Sequence, residues 1–221
     1  KVWSYTNGTG FNLEIDQIFK EEPYCVAFHP SGFHLVVGFN ERIRMMNLFE
    51  KNLVPFKDIQ VKLCREIKFS HGGHLFAVSN GSAINVYKFY LPENPQVFKG
   101  HNGTIKCIAW LDDDSGFVSS GWDASIYVWK LNTGSTDNKY VWEYKVKGVN
   151  FTCLTAYKPE GEKQSLIYAT DTLRCVRELQ EGDNHMGKEM MRFEQQTCLN
   201  QIVIMHNRRA IFGGVGGGTQ E

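Results

Sequence analysis

A chain of 221 residues, 42% hydrophobic and 13% aromatic, carries enough apolar surface for one sizeable globular domain and is not a disordered tail. Its 24 basic residues offset 24 acidic ones with no long run of one sign, which argues against nucleic acid or an anionic membrane as ligand. The longest apolar runs, such as Leu35-Val36-Val37 and Ile202-Val203-Ile204-Met205, are strand-sized and far short of the roughly 20 residues that span a bilayer.

In chain order one pattern recurs: an apolar strand ending in an aromatic, a Gly-containing turn, a second strand, another turn and a third strand. Residues 1–11 hold only a blade tail, with Val2-Trp3 in the third-strand place. Repeat 12–53 contains Cys25-Val26-Ala27-Phe28-His29-Pro30-Ser31-Gly32 and its third strand Ile43-Arg44-Met45-Met46. Repeat 54–95 contains Glu66-Ile67-Lys68-Phe69-Ser70-His71-Gly72-Gly73 and Ile84-Asn85-Val86-Tyr87. Repeat 96–137 contains Cys107-Ile108-Ala109-Trp110 and Ile126-Tyr127-Val128-Trp129. The aromatic anchors fall at 28, 69 and 110, 41 residues apart each time. Repeats 138–181 and 182–221 are looser, with Leu154-Thr155-Ala156-Tyr157 and Val203-Ile204-Met205 in the anchor place. Surface insertions at 138–147 and 160–164 account for the longer intervals, although Tyr140-Val141-Trp142-Glu143-Tyr144 alternates like a strand. Ala210-Ile211-Phe212-Gly213-Gly214 reads as a second strand of the last repeat.

A strand-rich unit of about 42 residues repeated side by side is what a β-propeller blade of four short strands requires, and helices have no obvious place. The expected fold is therefore an all-β propeller, incomplete, with about five blades of a larger ring whose remainder lies outside these residues.

The repeat at 96–137 also carries a specific set: Gly100-His101 at its opening, Ser119 in the second strand, Asp123 in the next turn and Trp129 closing the third strand. This resembles a WD repeat, and the resemblance implies a buried structural relay of hydrogen bonds through His101, Ser119, Asp123 and Trp129. The other repeats place Asn40 and Gly81 where the aspartate stands, and Met46 and Tyr87 where the tryptophan stands, so those blades are expected to be held by packing alone. Longer strings, Val26-Ala27-Phe28-His29-Pro30-Ser31-Gly32-Phe33-His34 with Arg42-Ile43-Arg44-Met45-Met46-Asn47-Leu48, and Phe69-Ser70-His71-Gly72-Gly73-His74-Leu75-Phe76-Ala77, resemble the WD-repeat region of the cilia- and flagella-associated protein 57 family. That resemblance covers roughly 23–131. It implies a propeller paired with a coiled coil elsewhere in the full-length chain, and partners in the axoneme: inner dynein arm and regulatory-complex components and the doublet microtubule surface. A location in cytoplasm, cytoskeleton and cilium axoneme follows from the same resemblance, and a sister axonemal WD-repeat protein fits it too.

Several constellations invite chemistry and are better read as structure. His101, Ser119 and Asp123 have the residue types of a hydrolase triad, but a nucleophile needs substrate access and an oxyanion hole, and these positions fall inside a blade. His71-Gly72-Gly73-His74 offers two metal ligands and no spaced third, Asp112-Asp113-Asp114 reads as a solvated turn, and Gly213-Gly214-Val215-Gly216-Gly217-Gly218-Thr219 lacks the Gly-Lys-Ser/Thr of a phosphate loop. The six cysteines form no C-x-x-C pair and read as small buried hydrophobes in a reducing compartment. Asn7-Gly8-Thr9, Asn80-Gly81-Ser82 and Asn102-Gly103-Thr104 match glycosylation acceptors, as does Asn150-Phe151-Thr152, yet Asn-Gly is foremost a tight-turn pair between strands. No catalytic, cofactor-binding or metal residue is assigned. What remains is a surface for docking proteins, with loops at 132–139, 160–164 and 181–189 as the expected contacts. Two functions compete: a non-catalytic axonemal scaffold acting on inner dynein arms, and a generic intracellular WD-repeat adaptor such as a ubiquitin-ligase receptor or trafficking scaffold.

Overall fold

The computed structural model describes residues 1–8, 10–131, 139–161, 164–180, 188–192, 199–204, 210–214 and 219–220. Every regular element among them is a strand. A hairpin of β1 (Val2–Thr6) and β2 (Gly10–Ile15) comes first. The first four-stranded sheet follows in chain order as β3 (Cys25–Phe28), β4 (His34–Gly38), β5 (Arg42–Leu48) and β6 (Leu53–Gln60). The second comprises β7 (Ile67–Phe69), β8 (Leu75–Asn80), β9 (Ala83–Lys88) and β10 (Gln96–Lys99). The third comprises β11 (Ile105–Trp110), β12 (Gly116–Gly121), β13 (Ser125–Lys130) and β14 (Tyr140–Lys145). In the fourth are β15 (Phe151–Tyr157), β16 (Leu166–Asp171), β17 (Cys175–Gln180) and β18 (Lys188–Arg192), and a three-stranded sheet holds β19 (Leu199–Ile204), β20 (Ala210–Gly214) and β21 (Thr219–Gln220).

Each sheet is an antiparallel meander, and successive sheets meet through their first strands: β3 against β7, β7 against β11, β11 against β15 and β15 against β19. This is an incomplete β-propeller. Its sheets are offset by one strand from the sequence repeat, because β6, β10, β14 and β18 open one repeat but close the sheet of the repeat before it.

The burial pattern follows from stacking. Second strands lie between two neighbouring sheets and are covered on both faces, so all six residues of β12 are buried, whereas the outermost strand β18 is exposed along its length. Between the first and second sheets pack Val36, Ile43, Met45, Ile67, Phe76 and Phe89, and between the third and fourth pack Val118, Val128, Phe151, Leu154, Ile167 and Val176. Each such side chain contributes about 1.5–3 kcal/mol on burial.

Two local expectations change. Residues 140–145 are the fourth strand of the third sheet and not part of an insertion, in keeping with their period-two alternation. Asn7-Gly8 and Asn80-Gly81 do turn between paired strands, with Gly8 and Gly81 in the left-handed region, but Asn102-Gly103 joins β10 to β11 in a different sheet. The loops at 132–138, 162–163 and 181–187, and 215–218 of the glycine run, lie outside the described residues.

Candidate functional site

The four residues singled out in the third repeat converge. Ser119 stands opposite Tyr127 in the β12–β13 register, and Trp129 stands opposite Phe117, two residues along the same face. His101, on the loop after β10, sends its ring in from the preceding sheet edge. Trp129 Nε1 donates to Ser119 Oγ at 2.8 Å, His101 Nε2 lies 2.8 Å from the same oxygen, and His101 Nδ1 lies 3.0 Å from both Asp123 carboxylate oxygens.

The donor inventory fixes the direction of the chain. The Asp123 carboxylate only accepts, so His101 Nδ1–H donates to it. In the neutral imidazole Nε2 is then an acceptor and takes the Ser119 hydrogen, while Ser119 Oγ accepts from the Trp129 indole N–H. Burial lowers the His101 pKa against the pull of Asp123, which keeps the ring uncharged near neutral pH. For Asp123, burial works upward, but the Asn102 N–H and His101 outweigh it and hold the carboxyl below its ordinary value. Asp123 also accepts from the backbone N–H groups of Asn102 at 2.8 Å and Ser125 at 3.2 Å, so one carboxylate joins the β10–β11 loop to the β12–β13 turn. Ala124 in that turn has φ 61°, and a side chain at Gly121 would come 2.8 Å from His101 Nδ1, so the turn closes only around a glycine there.

Aromatic rings seal the assembly. Phe98 meets Trp129 edge-on at 5.6 Å, Phe117 stacks on it at 6.1 Å, and Tyr127 meets the His101 ring edge-on at 4.5 Å. The order Asp, His, Ser is that of a hydrolase triad, yet Ser119 and Trp129 have no accessible surface and the indole occupies the serine oxygen. A substrate carbonyl has no approach to that atom.

The other sheets are not held by packing alone. In the second, Ser79 Oγ accepts from the backbone N–H groups of Arg65 at 2.8 Å and Glu66 at 3.0 Å, tying its entry loop as Asp123 ties that of the third. In the first, Arg44 holds Asp58 through two bonds of 2.8 Å across β5 and β6. In the fourth, Asp171 is fully buried, accepts from Leu173 and Cys175 N–H at 2.8 and 2.9 Å, and takes Arg177 Nε at 2.8 Å. Sequence reasoning passed over Asp171. Its signal was the five-residue turn Asp171-Thr172-Leu173-Arg174-Cys175, which parallels Gly121-Trp122-Asp123-Ala124-Ser125 with Arg174, like Ala124, at positive φ and the carboxylate moved two places back.

Turns between first and second strands staple neighbouring sheets. Asp114 accepts from the backbone N–H groups of His71 at 2.8 Å and Gly72 at 2.7 Å, and Asp112 accepts from Lys158 N–H. The acidic turn is thus a seam contact and not merely solvated. His71 is committed to Asp114 at 3.1 Å, His29 Nε2 meets Gly73 O at 3.0 Å, and Trp110 Nε1 donates to Lys68 O at 3.0 Å. Among the described residues no group of three or more His, Cys, Asp or Glu could hold a metal ion, and no helix is long and apolar enough to cross a membrane.

Residues 93–130, which contain the relay, match the family model described as WD domain, G-beta repeat. Cilia- and flagella-associated protein 57 of Mus musculus is 35% identical over 219 residues, 99% of this chain and 16% of that protein. The chain is a WD-repeat propeller segment similar to cilia- and flagella-associated protein 57. Cilia- and flagella-associated protein 57 A of Tetrahymena thermophila is 40% identical over 169 residues, covering 75% of this chain and 13% of that protein. WD repeat-containing protein 1 of Mus musculus is 33% identical over 125 residues, 53% of this chain and 20% of that protein. The chain thus spans a small fraction of the length of the relatives it matches.

Proposed function

We propose that this chain is part of a non-catalytic scaffold of the motile-cilium axoneme, one that helps position or regulate inner dynein arms through protein–protein contacts. The observation that carries the reading is the 35% identity running across 99% of the chain to a protein named for cilia and flagella. The inner-arm role itself rests on the family resemblance seen in the strings 26–34 and 69–77. The chemistry agrees with holding rather than converting a partner: the polar cluster that looks like a triad is sealed behind Trp129, Phe117 and Phe98 and spends each donor on its own blade.

The generic adaptor reading draws on the likeness to WD repeat-containing protein 1, which reaches only 53% of the chain. Detergent extraction of isolated cilia separates the two. An epitope-tagged full-length protein is expected to stay with the microtubule pellet, and recovery wholly in the soluble fraction would leave only the adaptor.

A further inference from the structure

The cysteines have no place in the relay, yet the fold brings four of them together in two pairs across sheet seams. Cys107 on β11 and Cys153 on β15 have their sulfurs 3.7 Å apart, and Cys25 on β3 and Cys64 on the β6–β7 loop have theirs 3.5 Å apart. All four are free thiols. A disulfide bond is about 2.05 Å long, so the second pair must close by about 1.5 Å to bond.

Two features set Cys25 and Cys64 apart. Gly38 is the register partner of Cys25, and a Cβ there would overlap the Cys25 sulfur and lie 2.7 Å from that of Cys64. The bare glycine is what admits both sulfurs to one space. Cys25 is also only half-buried, whereas Cys64 behind it is fully buried, so a small oxidant meets Cys25 first. Cys107 and Cys153 are both buried.

We propose that Cys25 and Cys64 form a reversible dithiol–disulfide site that, when oxidised, bonds the first sheet of the propeller to the second. With hydrogen peroxide as oxidant, the Cys25 thiolate attacks one peroxide oxygen, the O–O bond breaks, and hydroxide leaves to take up the proton Cys25 had released. Cys25 is then a sulfenic acid. The Cys64 sulfur attacks the Cys25 sulfur, the S–S bond forms as the S–O bond breaks, and the Cys64 proton leaves with the oxygen as a second water. The two thiols lose two electrons and the peroxide gains them. Because Cys25 is half-buried and Cys64 fully buried, Cys25 is the sulfur that meets the oxidant first and Cys64 the one that resolves it.

The test takes the intact polypeptide, reduced, through a graded series of hydrogen peroxide, blocks free thiols with iodoacetamide, and maps peptides without reductant. A Cys25–Cys64 linked peptide, two hydrogens lighter than its parts, should accumulate at lower peroxide than any Cys107–Cys153 link and vanish with dithiothreitol. Cys64→Ser should lose the link and leave Cys25 as a sulfenic acid that dimedone labels. If wild-type Cys25 passes to sulfinic acid with no link to Cys64, or if the link forms only after urea unfolding, the site does not exist. The wild-type series decides this even if the variant fails to fold.

Discussion

Ser119 Oγ is the atom on which the third blade's polar order depends: it takes one hydrogen from Trp129 and gives its own to His101. Asp123 anchors the far end and two backbone N–H groups besides, so Asp123→Ala strands a buried imidazole N–H and two loop donors. Loss of a hydrogen-bonded charged partner costs about 1.5–3 kcal/mol, and the melting temperature of the complete propeller should fall accordingly; an unchanged melting curve would refute the relay's role. The pH dependence has a definite sign. Because the folded His101 pKa lies below its ordinary value near 6.5, the unfolded chain binds that proton first, and stability present above about pH 6.5 drains away as pH falls toward the folded value. His29, lowered chiefly by burial, adds to the same window. Asp123, held below its ordinary value, contributes stability that is present above about pH 4 and lost as pH falls further. Denaturant midpoints measured between pH 7.5 and 5.5 should therefore drop, and His101→Gln should flatten that drop. These four side chains were legible in the sequence because each sits at a fixed place in the repeat. The direction of the hydrogen bonds was not, since it depends on which donors the fold leaves over.

Between elements, polar contacts appear that no repeat position announces. Asp171 and Arg177 lie on β16 and β17, six residues apart in sequence, and only the hairpin turn brings them to 2.8 Å. Asp171→Ala leaves the Arg177 guanidinium buried without its carboxylate and should cost about 3–5 kcal/mol, whereas replacing both with leucine should cost far less, because a buried ion pair yields little net stability over apolar packing. Thermal melts of the single and double variants make the comparison; equal losses would mean the pair does not act as a unit. The strands themselves were readable from alternation and turn residues, as Ile126-Tyr127-Val128-Trp129 shows. Seam contacts such as Asp114 on His71 and Gly72 were not, because the partners come from adjacent repeats 42 and 43 residues apart, and which loops touch is decided by the stacking of sheets.

At the scale of the molecule, equivalent positions behave differently along the propeller. Ile108 and Trp110 on β11 are buried against the second sheet, but their counterparts Val26 and Phe28 on β3 are 58% and 50% exposed, with the β1–β2 hairpin covering only part of that face. The fold class could be read directly from anchor spacing, whereas the surface that partners meet could not, since docking loops carry no periodic signal. The proposed scaffold role rests on likeness across the whole chain together with a polar cluster turned wholly inward. Under the proposed role, the full-length protein would hold inner dynein arms in place on the axoneme. Electron cryotomography of cilia lacking the protein measures this directly: doublet microtubules of normal number and form are expected, with inner-arm density lost or displaced, and intact inner arms in normally beating cilia would refute the scaffold role.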